Sequence, residues 1–394
     1  MILRRGVGPD VRRYEQNVRK FPAFHVEVEL AALGIAAAMA LAGCQNPVHE
    51  ENRSAQMDTQ VPRPVVISSP PTEQQSLKEL VKSLETGDPL KTKGAVLWQI
   101  ADMIKNGQAL GEYKHGLIKV LETPRPVDEK AEYAFRFIQD HAIAALYHAS
   151  MNGENVREAA PALARVGVEG RISPNSHGYI AHMLNQIATD GANIDSAVKI
   201  LADTVDMAAD AEKAYNRPKT DTHMGIMELM EVQHRRSLAL WLLRGITENG
   251  GYVDEAVPVL EKHRGSFNAK TGDEIAGILA RQYLNNGDTK ELMKMLKTNP
   301  SMEVINVFFD ADAKQRAEAV AVLHPMLKKW PANGIYWNGA IELLTFYLVE
   351  THEWNKINDM LASPWTETAA KDGLQKASYK GYKDEVANFM SRQK

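Results

Sequence analysis

One cysteine, Cys44, serves all 394 residues, so the chain can form no disulfide within itself and no thiolate metal cluster. Its fold has to be held by packing and hydrogen bonds. A Gly-rich phosphate loop, His-Glu-x-x-His and Gly-x-Ser-x-Gly are all missing, which removes the recognisable phosphate-cradling, zinc-protease and nucleophile-elbow routes to catalysis. Positive charge is not in excess either: Lys and Arg number 46 against 50 Asp and Glu. With no clustered basic face, the chain lacks the electrostatic footprint of a nucleic-acid binder. The unbroken apolar run Leu30–Gly43 falls short of the roughly 20 residues a helix needs to cross a bilayer core. No stretch sustains the alternation of a half-buried strand. These absences point to an all-α protein that is not an enzyme and takes no nucleic acid.

What is present begins with that apolar run. Leu41-Ala42-Gly43 leads two small residues into Cys44, and the run has the length of a signal-peptide core. Small residues fit an extended segment into a peptidase site, and the thiol after them is open to acylation. The pattern resembles the lipobox of bacterial lipoproteins. That resemblance implies a signal peptide over 1–43, a covalent diacylglycerol and fatty acid (palmitate) on Cys44 in place of any cofactor, and membrane attachment through this lipid anchor. It places the protein in the bacterial cell envelope. Gln45 after the cysteine, where Asp would mark retention, favours the periplasmic side of the outer membrane over the inner membrane. The lead before the apolar run is long and carries Glu27 and Glu29 close to it. A start at Val18, reading Met-Arg-Lys-Phe, would give a conventional positive n-region.

Residues 1–43 hold six of the basic and four of the acidic residues, so 40 and 46 remain beyond them, a net charge of −6. Residues 44–71 carry five prolines (Pro47, Pro62, Pro64, Pro70, Pro71) and almost no aromatic side chain. Such a segment buries too little apolar surface to offset its ordering entropy, and reads as a disordered tether spanning about 25–30 Å.

From residue 72 to 394 the texture is helix after helix, punctuated by Gly, Asn, Asp and Pro. Thr72 and Gln75 form a capping box before the stripe Leu77, Leu80, Val81 and Leu84. The joints repeat. Asn152-Gly153, with Val156, Ala159, Pro161 and Leu163, aligns without a gap on Asn249-Gly250, with Val253, Ala256, Pro258 and Leu260. Asp190-Gly191, with Ile194, Ala197 and Leu201, fits the same frame, and Asn106-Gly107 and Asn286-Gly287 are looser copies. Each copy predicts a left-handed glycine at a helix C-terminus, a short turn, then an amphipathic helix. The Pro-x-Leu openings at Pro161 and Pro258 resemble the first helix of HEAT (or armadillo) repeats, and Ala280–Asp288 is similar to a tetratricopeptide turn. Either resemblance implies an α-solenoid of antiparallel helix pairs over 72–394. Two segments, 126–151 and 222–249, read as unusually long helices.

Candidate sites are few. Ser196-Ala-Val-Lys199 and Lys270-Thr271-Gly272 imitate penicillin-binding motifs, but Thr271 serves better as a helix N-cap before Asp273-Glu274. His141 and His148 share a helix face about 10 Å apart along the axis, too far for one metal ion, and His177 and His182 share no face. His223, Met224, Met227 and Met230 offer an imidazole and three thioethers, soft ligands suited to Cu(I); methionines filling gaps between helices compete with that reading. The C-terminal region concentrates aromatics, among them Trp330, Tyr336, Trp337, Trp354 and Trp365, which suit a ligand groove or the end of a helical core. Glu228 and Arg235 belong to a charged stretch of the second long helix. The function expected is a lipid-anchored scaffold or adaptor that binds an unidentified envelope protein on a helical-repeat surface. The alternatives are a peptidoglycan- or glycan-binding protein using the C-terminal aromatics, and a periplasmic Cu(I)-binding protein.

Overall fold

The computed structural model describes residues 89–392, apart from 112, 125, 127–128, 170–171, 191–193, 216–224, 299 and 331–333. The signal-peptide and tether segments, Cys44, and the Thr72–Leu84 stripe lie outside the described residues. Within them the protein is all-α, with no strand, and no helix is long and apolar enough to cross a membrane.

The helices are α1 (Pro89–Lys105), α2 (Tyr113–Glu122), α3 (Glu129–Met151), α4 (Ala160–Glu169), α5 (Pro174–Thr189), α6 (Asp195–Tyr215), α7 (Ile226–Glu248) and α8 (Val257–His263). They continue as α9 (Ala269–Asn285), α10 (Thr289–Thr298), α11 (Met302–Val307), α12 (Ala313–Leu327), α13 (Ile335–Glu350), α14 (Trp354–Ala362), α15 (Glu367–Ala377) and α16 (Lys383–Ser391). The two long helices expected from the pattern are α3 and α7. A third, α6, matches them closely; its stripe of Ala197, Val198, Leu201, Ala202 and Val205 uses small residues that blur its outline in sequence.

Packing follows a simple order. The odd-numbered helices touch in succession from α1 to α15, each meeting the helix two places along. The even-numbered ones form a second series, α2 on α4, α4 on α6, α6 on α8, and α10 on α12. The main hydrophobic core runs between the series from Leu97 to Phe389, beside a small second cluster of Trp337, Ile341 and Ala369.

The expected joints are there. Gly107, Gly153, Gly250 and Gly287 all have positive φ, between 72° and 93°, a region where a Cβ is strained. At α3 the closure is double: Gly153 N–H donates to Ser150 O and Glu154 N–H to Ala149 O, both at 3.0 Å, satisfying carbonyls the helix leaves open. The joints after Gly153 and Gly250 then enter the same short 3-10 turn, Arg157–Ala159 and Asp254–Ala256, before α4 and α8. Gly191 falls outside the described residues, but the entry to α6 repeats the same closing bond: Ala197 N–H donates to Ile194 O at 2.8 Å, as Ala159 N–H does to Val156 O and Ala256 N–H to Val253 O. A fifth closure had no glycine to announce it. His352 takes φ 57° and donates its N–H to Val349 O, while Glu353 N–H reaches Leu348 O at 2.8 Å.

Side chains then stitch one odd helix to the next near their C-termini. Asn152 Nδ2 of the α3 joint donates to Ile104 O of α1 at 2.8 Å, and Ser150 of α3 to Gln186 of α5 at 2.6 Å. Thr189 of α5 reaches Asn249 O after α7, and Asn285 of α9 donates to Thr247 O of α7 at 2.9 Å. One expectation needs correction: α9 is capped by Asn268, whose side chain accepts from Thr271 N–H at 3.0 Å. Thr271 is therefore inside the first turn, because Asn at position 268 starts the helix earlier than the Thr-Gly-Asp-Glu pattern suggests.

Replacing Gly153 or Gly250 by Ala forces a Cβ into the left-handed region and should cost about 1 kcal/mol each. His352→Gly should raise stability by roughly 0.5–1 kcal/mol through the same effect in reverse. Urea midpoints of the three variants check this; His352→Gly falling below the parent would contradict it.

Candidate functional site

The exposed side of the odd series divides into an aromatic part and a charged part. On α3, Tyr133, Phe137 and His141 lie four residues apart, so one helical face carries all three. Tyr133 and Phe137 are largely exposed, and Phe137 meets His141 edge-on at 4.3 Å between centroids. Two turns further, Tyr147 stacks on Tyr179 of α5 at 4.1 Å with planes 13° apart. His182 of α5 approaches the edge of Tyr147 at 5.3 Å, and His148 flanks both tyrosines. All four rings are half-buried; His182 Nδ1 is enclosed, and the group leaves part of its aromatic surface in reach of a partner. On α1, Lys105 comes near His148 and disfavours its protonation. Trp98, exposed, sits two turns before Lys105 on the same face.

The imidazoles here are held neutral. Burial lowers the pKa of His141, His148, His177 and His182; Asp140 opposes it at His141, and the His234 charge adds to it at His177. His177 Nδ1 rests on Ser173 O at 3.2 Å, while the Nε2 atoms of His141 and His177 are buried with no hydrogen-bond partner. Asp140 is committed elsewhere: its carboxylate accepts from Ser173 N–H at 3.0 Å and Ser176 Oγ at 2.5 Å, pinning the start of α5 to α3.

Beyond α7 the rings give way to ion pairs. Arg244 of α7 pairs with Glu248 and with Glu303 of α11, Arg281 of α9 with Asp310, and Lys376 of α15 with Glu342 of α13 at 2.5 Å. Asp310 also pairs with Lys380, and these two cations hold its carboxyl below the usual range against its burial. Glu274 of α9 is pushed up by burial despite Arg244. The helices come close here because of small residues: a Cβ on Gly277 would lie 2.8 Å from Glu303 Cβ.

The structure separates the candidates named from the sequence. Trp337 is 8% exposed and packs with Ile341, Ala369, Leu327, Trp330 and Met360, so its ring fills core space between α12, α13, α14 and α15. Trp354 stacks on Phe389 of α16 at 4.9 Å. Tyr336 tilts toward Trp330 at 6.5 Å and reaches Asp273 of α9 at 3.5 Å. Trp365 alone of the five is well exposed, at 61%. Glu228 caps α7 by accepting from Gly225 N–H, and Arg235 pairs with Glu231 at 2.6 Å. Met227 and Met230 are exposed at the start of α7; His223 and Met224 lie outside the described residues. Among the described residues no three His, Cys, Asp or Glu side chains are placed to hold a metal ion. The Tyr147–Tyr179 group escaped the sequence because its members lie on two helices; only the matched pairs Tyr147-His148 and Tyr179-x-x-His182 hinted at it.

No protein-family model matches this chain, and no curated protein does. Among solved structures it is similar to a crystal structure described as an engineered protein, 19% identical, covering 64% of this chain and 97% of that one with a TM-score of 0.26. A likeness at that score settles neither fold nor function.

The neutral imidazoles set a pH dependence. Their folded pKa values lie below the unfolded value near 6.5, so the unfolded chain binds more protons and stability falls as pH drops through about 6.5 and below. Thermal melts from pH 7.5 to 5 should show this fall, and a His141→Gln/His177→Gln variant should flatten it; an unchanged slope in that variant would refute the assignment.

Proposed function

We propose that the protein is a lipid-anchored scaffold of the bacterial cell envelope, an α-solenoid of HEAT-like helix pairs that binds a protein partner on its odd-numbered helices. The observation that carries this reading is the half-exposed Tyr147–Tyr179 stack with its flanking histidines, set on a series in which each helix meets only near neighbours. Stacked helix pairs produce extended surfaces, and Tyr rings of this kind dominate binding hot spots because they bury a large apolar area at low entropic cost. Cys44 supplies the anchor through acylation, and residues 44–71 the reach from the outer membrane. The function needs no catalytic group and no nucleic acid.

A glycan partner is the second reading, since a tyrosine face flanked by imidazoles also suits a sugar ring. It moves the glycan surface from the C-terminal tryptophans, of which Trp337 is in the core, to α3 and α5. Binding to purified sacculi separates it from a protein partner.

Cys44→Ser should abolish palmitate labelling and shift the protein from the membrane to the soluble fraction; a variant that still carries lipid would sink the anchor. Tyr147→Ala/Tyr179→Ala should abolish chemical crosslinking to the partner in intact cells while Trp365→Ala leaves it intact. Equal crosslinking in both variants would contradict the assigned surface.

A further inference from the structure

We propose that the groove between α10 and α12 docks an acidic peptide segment of a protein partner, anchored by apolar side chains. This rests on the scaffold reading and adds to it a second surface, on the even-numbered helices, with its own ligand chemistry. The groove is an open trough of about 760 Å³ that runs the length of α10. Its floor is Met293, Ala321 and Val322, and Lys290, Lys294 and Lys297 form one rim against Glu318 on the other. The lysines are spaced i, i+4, i+7, so they line one side of α10 over about 10 Å. The helix buries Leu292, Met293, Met295 and Leu296, with Met293 at the edge of the core where it meets the trough, and this fixes the lysines outward.

Charge selects the occupant. The chain as a whole carries a net charge of −4, yet this rim is cationic. Lys294 is engaged by Glu291 at 2.7 Å, whereas Lys290 and Lys297 have no ion-pair partner among the described residues. An apolar floor beneath two uncommitted ammonium groups complements a segment with Leu or Phe on one side and Glu or Asp on the other. A flat bilayer fits less well, because the apolar residues lie at the bottom of a concave trough. The trough is open along its length, which suits a chain segment better than a compact solute. Gln315 Nε2 of α12 donates to Thr289 Oγ1 of α10 at 3.0 Å, holding the two walls together at one end.

The test is fluorescence anisotropy of full-length protein in detergent with a fluorescein-labelled synthetic peptide alternating Glu pairs with Leu and Phe. A second peptide replaces every Glu by Lys. The expected result is saturable binding of the acidic peptide only, weakened at least about tenfold by Lys290→Glu/Lys297→Glu and by raising salt to about 0.5 M. Val322→Ser should weaken it through the floor, and melting curves verify that each variant is folded. Should the charge reversals disturb folding, Lys290→Gln/Lys297→Gln keeps the same comparison. Equal binding of both peptides, or binding unchanged in the rim variants, overturns the proposal. Sedimentation of the unlipidated Cys44→Ser protein, free of detergent, with phosphatidylglycerol vesicles that the acidic peptide does not displace overturns it too, in favour of a membrane surface. The scaffold reading stands apart from these outcomes, since it is read from crosslinking at Tyr147 and Tyr179.

Discussion

A helix ends in carbonyl groups that its own backbone cannot satisfy, and the closure of those ends organises this protein. Four glycines and one histidine turn the chain through the left-handed region immediately after α1, α3, α7, α9 and α13. Each turn returns two N–H groups to the helix it leaves, and it sends the chain back toward the other series. The same ends carry the side chains that join α1, α3, α5, α7 and α9 to one another. Loss of a closure therefore releases the helix end, the turn and the link to the neighbouring helix together. With no disulfide available, these joints and the core between the two series hold the fold.

That arrangement shapes what the surface can do. Helices that meet only near neighbours leave a whole side of the odd series outside the core, and the sequence fills it unevenly. Between α1 and α7 it carries rings and neutral imidazoles; from α7 to α15 it carries ion pairs that are satisfied internally. Paired charges contribute little to binding a partner unless the pairing is broken, whereas half-buried tyrosines offer area without that cost. Buried partners such as Arg316 and Glu350, with Arg316 also donating to Phe308 O at 2.8 Å, instead lock α12 to the end of α13. The odd series thus has an aromatic end and a braced end.

The all-α class and several helix ends were readable because their signals are local. Asn152-Gly153 and Asn249-Gly250 specify a helix end by backbone chemistry alone, and Val156 and Val253 after them are both buried. The turn at His352 was not readable: Thr-His-Glu holds no glycine to mark a left-handed residue, and the burial of Leu348 and Val349 just before it is visible only in the fold. The aromatic count toward the C-terminus was plain, but the direction of each ring was not. Trp337 turns inward onto Ile341 and Ala369 while Trp365 turns outward, a choice made by helices that are distant in sequence. For the same reason the pairing of Tyr147 with Tyr179 and the trough between α10 and α12 needed the fold to become visible.

The central claim is that partners meet the odd series at α3 and α5. Site-specific photo-crosslinking in living cells tests it directly, with a benzophenone amino acid placed at Tyr179 of α5 or at Lys199 of α6, which is exposed on the even series. The account predicts one dominant crosslinked envelope protein from position 179 and none from position 199. Equal crosslinking from both positions, or from 199 alone, would contradict it.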